Sequence, residues 1–356
     1  MTVHFNNAHE MILMARRNLS QDTWDYICGA AESETTLRRN RLALDCLAFR
    51  PRICRDVREI DTSTTFLGNK IRIPVLMAPM GSISNFSPNG AADVDTACEE
   101  FGTINFISTV TEPSLEVIAE NSPHPKSFQI YVRGDDQWIR DLAKRAVNAG
   151  YSSITLTVDS AFYGNRERLS PWQVALRNVP ARAFQKGITW DTVKMIQDTI
   201  GNVPFVIKGI QTAEDAAIAA EHEVNCVYVS NHGGRQLDQV YGNIDTLPEI
   251  VKAVNGRCEI IIDGGFTRAG DILKAIALGA NAVAIGRLQA WALGAGSSDG
   301  LVKCLEHLEV EIERTMGLLG VTSLDQLSPS YVGESRPVRL PHEHSAFSHL
   351  PGGRIE

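Results

Sequence analysis

The sequence has no CxxC pair. Its seven cysteines, Cys28, Cys46, Cys54, Cys98, Cys226, Cys258 and Cys304, are scattered, and no histidine is spaced to share a metal with them. They read as reduced core residues, and no structural metal is expected. Long apolar runs are missing too: none reaches the length of a membrane span, and the N-terminus carries no apolar signal segment. Nor does charge of one sign gather. The 42 acidic and 34 basic residues give a formal net charge of −8 spread without blocks, which leaves no basic stripe for a nucleic-acid backbone. The expectation is a cytoplasmic protein with neither a membrane nor a nucleic-acid partner. With 44% hydrophobic and 21% charged residues, the chain can bury a large core, and 356 residues allow two average domains or one decorated barrel.

What is present is a repeated phrase: a short apolar run, a polar or glycine-containing turn, then an amphipathic helix pattern. The runs fall at 73–78, 104–108, 128–132, 154–158, 205–208, 226–229, 260–262 and 282–285. Between them, helices are expected at 90–101, 137–149, 213–221 and 269–278, several closed by glycine, as at Gly102, Gly150 and Gly279. Eight strands alternating with helices predict an α/β fold, a (β/α)8 TIM barrel, ahead of a doubly wound open sheet. Residues 1–71 read as a helical cap over the barrel bottom, with helices at 9–19, 22–31 and 35–48 and a small hairpin, or as a segment from which a tyrosine reaches the active mouth. Residues 72–327 hold the barrel and a final helix at 301–318. The polar stretch 328–356 reads as a flexible tail.

In such a barrel the catalytic groups sit at the C-terminal strand ends. Those ends carry Pro79-Met80-Gly81, Ser108, Gln129 and Tyr131, Thr157 and Asp159, Lys208, Ser230 with His232 and Arg235, Asp263-Gly264-Gly265, and Gly286-Arg287. Glycines after the seventh and eighth strands, with Arg287, match the usual barrel phosphate site. A lysine closing an apolar strand, Lys208, needs an anionic partner or a chemical purpose, either as a Schiff-base nucleophile or as a cation facing a flavin or phosphate. Asp159 shares the mouth with His232 and can orient its imidazole, which makes His232 a candidate base.

These motifs resemble the FMN-dependent α-hydroxy acid oxidase and dehydrogenase family over roughly residues 8–325. The most specific is SNHGGRQLD at 230–238. It is supported by Asp25-Tyr26, MAP at 77–79, FQIY at 128–131, LTVD at 156–159, VIKG at 206–209, DGG at 263–265 and IGR at 285–287. The resemblance implies FMN across the barrel mouth, its phosphate on Gly264, Gly265, Gly286 and Arg287 and its ribityl chain on Asp263. Pro79, Met80, Gly81, Ser108, Gln129, Thr157, Lys208 and Ser230 would contact the ring system or its chain. Tyr26, Arg166 and Arg235 would hold a substrate carboxylate, and Tyr131 would approach the hydroxyl carbon. His232 would take a proton, with Asp159 stabilising the imidazolium, as electrons pass to flavin N5. The family also implies a homo-oligomer, a tetramer or octamer.

Departures from the family pattern sharpen the reading. Gly81 stands where many oxidases carry Ala, Val110 replaces a bulky aromatic, and the segment between Arg166 and Trp190 is short. The last two changes predict a wider entrance and an (S)-2-hydroxy acid larger than glycolate, and Gly81 leaves the electron acceptor open between oxygen and others. Thr267 stands where the family commonly has Arg, which directs attention to Arg268 for the phosphate. Two other classes remain at this point: a Schiff-base aldolase or lyase using Lys208, and a non-catalytic flavin-binding module.

Overall fold

The computed structural model describes residues 4–170, 173–174, 180–337 and 346. The chain opens with three helices, α1 (Ala8–Asn18), α2 (Gln21–Cys28) and α3 (Thr35–Asp45). Short polar side chains start the first two: Asn7 accepts from Glu10 N at 2.9 Å and Ser20 from Thr23 N at 3.2 Å, satisfying helix N–H groups that otherwise lack partners. Strands β1 (Leu47–Phe49), β2 (Thr64–Phe66) and β3 (Asn69–Ile71) follow.

Eight parallel strands then close into a barrel: β4 (Val75–Met77), β5 (Asn105–Ser108), β6 (Lys126–Ile130), β7 (Ser153–Thr157), β8 (Phe205–Ile210), β9 (Cys226–Val229), β10 (Glu259–Ile262) and β11 (Ala282–Ile285). Seven of the neighbour pairs are sequential, and β11 pairs with β4 to complete the ring, Ala284 opposite Leu76. All eight expected runs are strands of this barrel. Their residues are almost uniformly buried, as strands covered on both faces require.

The expected cap divides between the two ends of the barrel. The β2–β3 hairpin closes the bottom, where Leu67 N donates to Glu259 Oε1 at 2.9 Å and Phe66 meets Phe106 inside the barrel at 6.2 Å between ring centroids. Helices α2 and α3 instead reach the catalytic mouth, so the reading of residues 1–71 as a bottom cap holds for the hairpin alone. The reason lies in α1, which packs along the final helix, Arg287–Leu319: Asn18 Nδ2 donates to Gly294 O at 3.0 Å, and Trp24 stacks on Trp291. That helix begins directly after β11, well before the expected residue 301, and kinks at Gly296 and Ser297.

Ordered chain also runs past 328. Strand β12 (Val332–Glu334) pairs antiparallel with β1, Ala48 opposite Gly333, so the boundary of the expected flexible tail is too early. The rest of that tail, apart from residue 346, lies outside the described residues after 337. No helix among the described residues is long and apolar enough to cross a membrane.

Candidate active site

The turn after β9 carries the most concentrated chemistry. Ser230 Oγ accepts from His232 N at 3.0 Å, and His232 adopts a left-handed backbone, φ 57°. That conformation costs an ordinary side chain roughly 1–2 kcal/mol, a strain typical of functional turns. Gly234 follows at φ 76°, and a Cβ there would fall 2.6 Å from the Leu37 backbone nitrogen, so α3 can pack this closely only against glycine.

The imidazole is fixed from two sides. His232 Nδ1 lies 3.0 and 3.1 Å from the two Asp159 carboxylate oxygens, and Tyr131 Oη lies 3.2 Å from Nε2. Burial alone would raise Asp159, but His232 and Lys208 outweigh it and hold the carboxyl at about 2. An ionised carboxylate can only accept, so Nδ1 carries the proton and Nε2 keeps its lone pair, accepting from Tyr131. Burial lowers His232 from its ordinary value of 6.5, Asp159 pulls it back up, and Lys208 and Arg166 oppose protonation; the net direction is down. The histidine is therefore a neutral base at pH 7. Gly209, at φ 115°, makes room for the carboxylate, since a Cβ there would meet Asp159 Cβ at 2.8 Å.

Lys208 lies near the end of β8 with 4% of its side chain exposed. Its ammonium donates to Ser230 Oγ at 2.8 Å and lies 3.7 Å from Asp263 Oδ2, while Ser230 donates on to Asp263 at 3.0 Å. Ser108, Gln129 and Thr157 form a buried ladder behind the cavity wall rather than on it: Ser108 donates to Gln129 Oε1 at 2.7 Å, and Gln129 Nε2 to Thr157 Oγ1 at 2.8 Å. Ser230 and Asp159 likewise back the wall. The ladder and these two groups hold in place the residues that do face the cavity.

Two guanidiniums converge on the C-terminal end of α2. Arg235 Nη1 donates to Tyr26 O and Gly29 O at 2.7 and 2.8 Å, and Arg287 donates to Ile27 O, Gly233 O and Gly29 O at 2.9 to 3.0 Å. A cation at a helix C-terminus is favoured by its unsatisfied carbonyls. Arg235 keeps Nε and Nη2 without a protein acceptor among the described residues, directed at the same cavity as Tyr26 and Arg166. Pro79, Met80, Gly81, Gly264, Gly265 and Gly286 line that cavity as well. Arg268 does not. It forms a two-pronged pair with Glu311 on the final helix at 2.5 and 3.0 Å, so the expectation that it serves a phosphate is not met. Thr267, at its side, lines the cavity instead.

Sequence reading passed over the groups that lock this mouth to α3. Asn40 and Asn231 exchange side-chain amide hydrogen bonds at 2.9 and 2.8 Å, both buried. Asp238, unassigned although it closes the SNHGGRQLD motif, accepts from Thr36 N at 2.8 Å and Ser33 Oγ at 2.7 Å, capping α3 from a distant loop. Arg41 donates to Asp271 at 2.8 and 2.7 Å. The available signal was the clustering of Asn and Asp in a motif already rich in catalytic groups.

The lining residues enclose a cavity of about 640 Å³, within the range of small-molecule and cofactor sites. Its ionised groups are nearly all basic, Asp263 being the acidic exception, in a chain whose net charge is −8. That donor set, with Arg287 beside glycine turns at one end and Lys208 at the middle, fits an anionic cofactor phosphate and an electron-accepting ring, so the residues present fit FMN. A barrel with this mouth defines a flavin-dependent oxidoreductase. The family model for the FMN-dependent dehydrogenase matches residues 15–179 and 170–334, and the chain belongs to that family. It is 36% identical to an L-lactate oxidase of Nostoc sp., over 92% of this chain and 97% of the relative. It is also 36% identical to glycolate oxidase of Spinacia oleracea, over 93% and 96%. A crystal structure of mandelate oxidase superposes with a TM-score of 0.87 at 33% identity, covering 94% of this chain and 100% of that one.

Proposed function

We propose that this enzyme oxidises an (S)-2-hydroxy acid to the 2-oxo acid with FMN, and that its substrate is bulkier than glycolate. The supporting observation is the His232 Nε2 lone pair, fixed between Tyr131 and the cavity with cationic groups on either side. In the reaction, R–CH(OH)–COO⁻ loses two electrons and two protons to become R–CO–COO⁻. FMN, when bound, accepts the two electrons together with the second proton. The substrate carboxylate pairs with Arg235 through its open Nε and Nη2, with Arg166 and Tyr26 beside it. His232 Nε2 receives one proton, and Asp159, 3.0 Å from Nδ1, stabilises the imidazolium that results. Tyr131, which burial raises and keeps protonated, would turn its one hydroxyl proton from His232 Nε2 to the reacting oxygen, freeing the Nε2 lone pair for the substrate proton.

Gly264, Gly265, Gly286 and Arg287 would hold the cofactor phosphate, with Lys208 at the ring. Because Arg268 is engaged by Glu311, the cofactor phosphate would fall to Arg287, with Arg41 also on the cavity lining. A carbonyl-attacking lysine needs a disengaged amine, whereas Lys208 is held by Ser230 and Asp263, which counts against the Schiff-base reading. The intact His232–Asp159–Tyr131 cluster counts against a flavin module without catalysis. Val110 in the lining, small beside an aromatic, supports a substrate with bulk, as does likeness to mandelate oxidase, one structure of which holds (S)-mandelic acid. Oxygen as acceptor fits the oxidase relatives.

Anaerobic mixing of FMN-loaded protein with a panel of 2-hydroxy acids tests this directly. Bleaching of the flavin by aryl or longer-chain acids is expected. No bleaching by any member would overturn the activity, and a highest kcat/KM for glycolate would overturn the size preference.

A further inference from the structure

Two cations at the cavity entrance are not used by the chemistry above. Arg133 lies two residues after Tyr131, the spacing that puts alternate side chains of extended chain on one side, and it lines the same cavity. Arg182 reaches in from the Pro180–Gly187 turn, and its guanidinium packs 4.4 Å from the Tyr163 ring centroid. Arg166 approaches the same ring at 4.3 Å, so the candidate carboxylate site and Arg182 are separated by no more than one aromatic side chain. Among the described residues neither Arg133 nor Arg182 has an acidic partner. Arg182 Nη1 is buried with no hydrogen-bond acceptor, and Gln185 Oε1 one turn further on is buried with no donor among the described residues, although both residues border open space.

Such groups are costly without a ligand. A buried donor left unsatisfied loses its hydration for nothing in return, and like charges that share a pocket repel. Arg133 shows the strain: burial lowers it, and the neighbouring charge of Arg182 lowers it further. A carboxylate between the two arginines would satisfy Nη1 and neutralise the repulsion, while Gln185 Oε1, an acceptor, is left for a donor such as a substrate hydroxyl.

We infer that the entrance is a second anion subsite, and that the substrate is a 2-hydroxy acid whose side chain ends in another anionic group, a 2-hydroxy dicarboxylic acid. The α-carboxylate lies on Arg235 and Arg166, and the distal carboxylate on Arg182 and Arg133. This rests on the hydroxy acid oxidation proposed above. It also turns the room left by Val110 from mere width into a second point of recognition.

The test compares (S)-2-hydroxyglutarate with (S)-2-hydroxyhexanoate, a longer monoacid that lacks the distal charge. The FMN-loaded enzyme is expected to favour the diacid in kcat/KM by about tenfold to a hundredfold, the yield of a charge-assisted pair. In Arg182→Met and in Arg133→Met that ratio should fall toward one. Both substrates are measured on one preparation, so any misfolded fraction cancels. Equal or reversed preference in the wild type overturns the subsite. A diacid preference that survives both substitutions overturns its location, and an equal loss for both substrates means that the arginines only steer anions inward, which also overturns it. Calorimetric binding of glutarate against hexanoate, neither of which can be oxidised at a hydroxyl, reads the subsite without turnover. Tight glutarate binding without flavin bleaching by any hydroxy acid would support the subsite and sink the oxidation, and no glutarate preference would sink the subsite alone.

Discussion

The floor and the rim of the cavity are built by opposite rules. On the floor the catalytic groups are paired with one another: Lys208 with Ser230 and Asp263, His232 with Asp159 and Tyr131, Ser108 with Gln129 and Thr157. These side chains stand on barrel strands or within a few residues of their ends, so the scaffold sets their positions. At the rim, loops carry Phe162, 73% exposed, with Lys186 over its ring and Arg182 unsatisfied. The floor is organised before any ligand arrives, as catalysis by preorganised groups requires. The rim is left incomplete, and a ligand is what would complete it. One set of residues determines the reaction, the other which molecule undergoes it.

The largest effect therefore belongs on the floor. His232→Ala should slow flavin reduction by about a hundredfold to ten-thousandfold, the usual worth of a positioned general base, with little change in the flavin spectrum of the unreacted protein. Stopped-flow reduction measures this, and a rate within tenfold of wild type would remove His232 from the mechanism. The pH dependence follows from the same residue. Because the folded protein lowers His232 below 6.5, the neutral base persists throughout the range above that value, and kcat/KM should fall only as the pH drops through the lowered pKa. Asp159→Asn removes the charge that pulls this pKa upward, so the acid limb should move to still lower pH while the maximal rate declines. A limb that moves to higher pH would contradict the assignment.

This division also decided what could be read from the chain. The eight strands were legible because each is an apolar run buried on both faces, and the site residues because strand ends in a barrel converge wherever loops wander. Arg268 was misread because its neighbour in sequence, Thr267, faces the cavity, while Glu311, forty-odd residues away, claims the guanidinium; a helix pairing across that distance leaves no local mark. Asn40, Asp238 and Arg41 were passed over for the same reason, since each acts on a partner about 200 residues distant. The split of the N-terminal segment between barrel bottom and mouth depends on α1 packing along the final helix, which no periodicity encodes. At the rim, Arg133 and Arg182 carry no motif, and only their shared cavity joins them.

A smaller effect tests the seam between the two regions. A Cβ added at Gly81 would lie 2.7 Å from Val110 Cγ2, closer than real contacts allow, and valine has little freedom to turn aside. Gly81→Ala should cost about 1–3 kcal/mol in thermal or denaturant unfolding, as overpacking usually does. Val110→Ala in the same chain should recover most of it, an interaction measurable by a double-mutant cycle. Additive losses would show that the two positions do not share space and that Gly81 is small for some other reason.

The least effect is expected at the outermost rim. The Phe162 side chain is exposed, with Lys186 Nζ at 4.3 Å from its ring centroid, and the backbone hydrogen bond its carbonyl accepts from Gln236 does not depend on the ring. Exposed cation–π pairs are worth about 0.5–1 kcal/mol at most, and surface substitutions away from structural features stay within about 0.5 kcal/mol. Phe162→Ala should therefore leave the unfolding midpoint within a degree or two of wild type, while KM for bulky 2-hydroxy acids rises and KM for glycolate does not. Paired measurements of melting and of KM for the two substrates check this. A melting loss comparable to that of Gly81→Ala would mean that the rim helps hold the fold together, and the separation of floor from rim would then lose its physical basis.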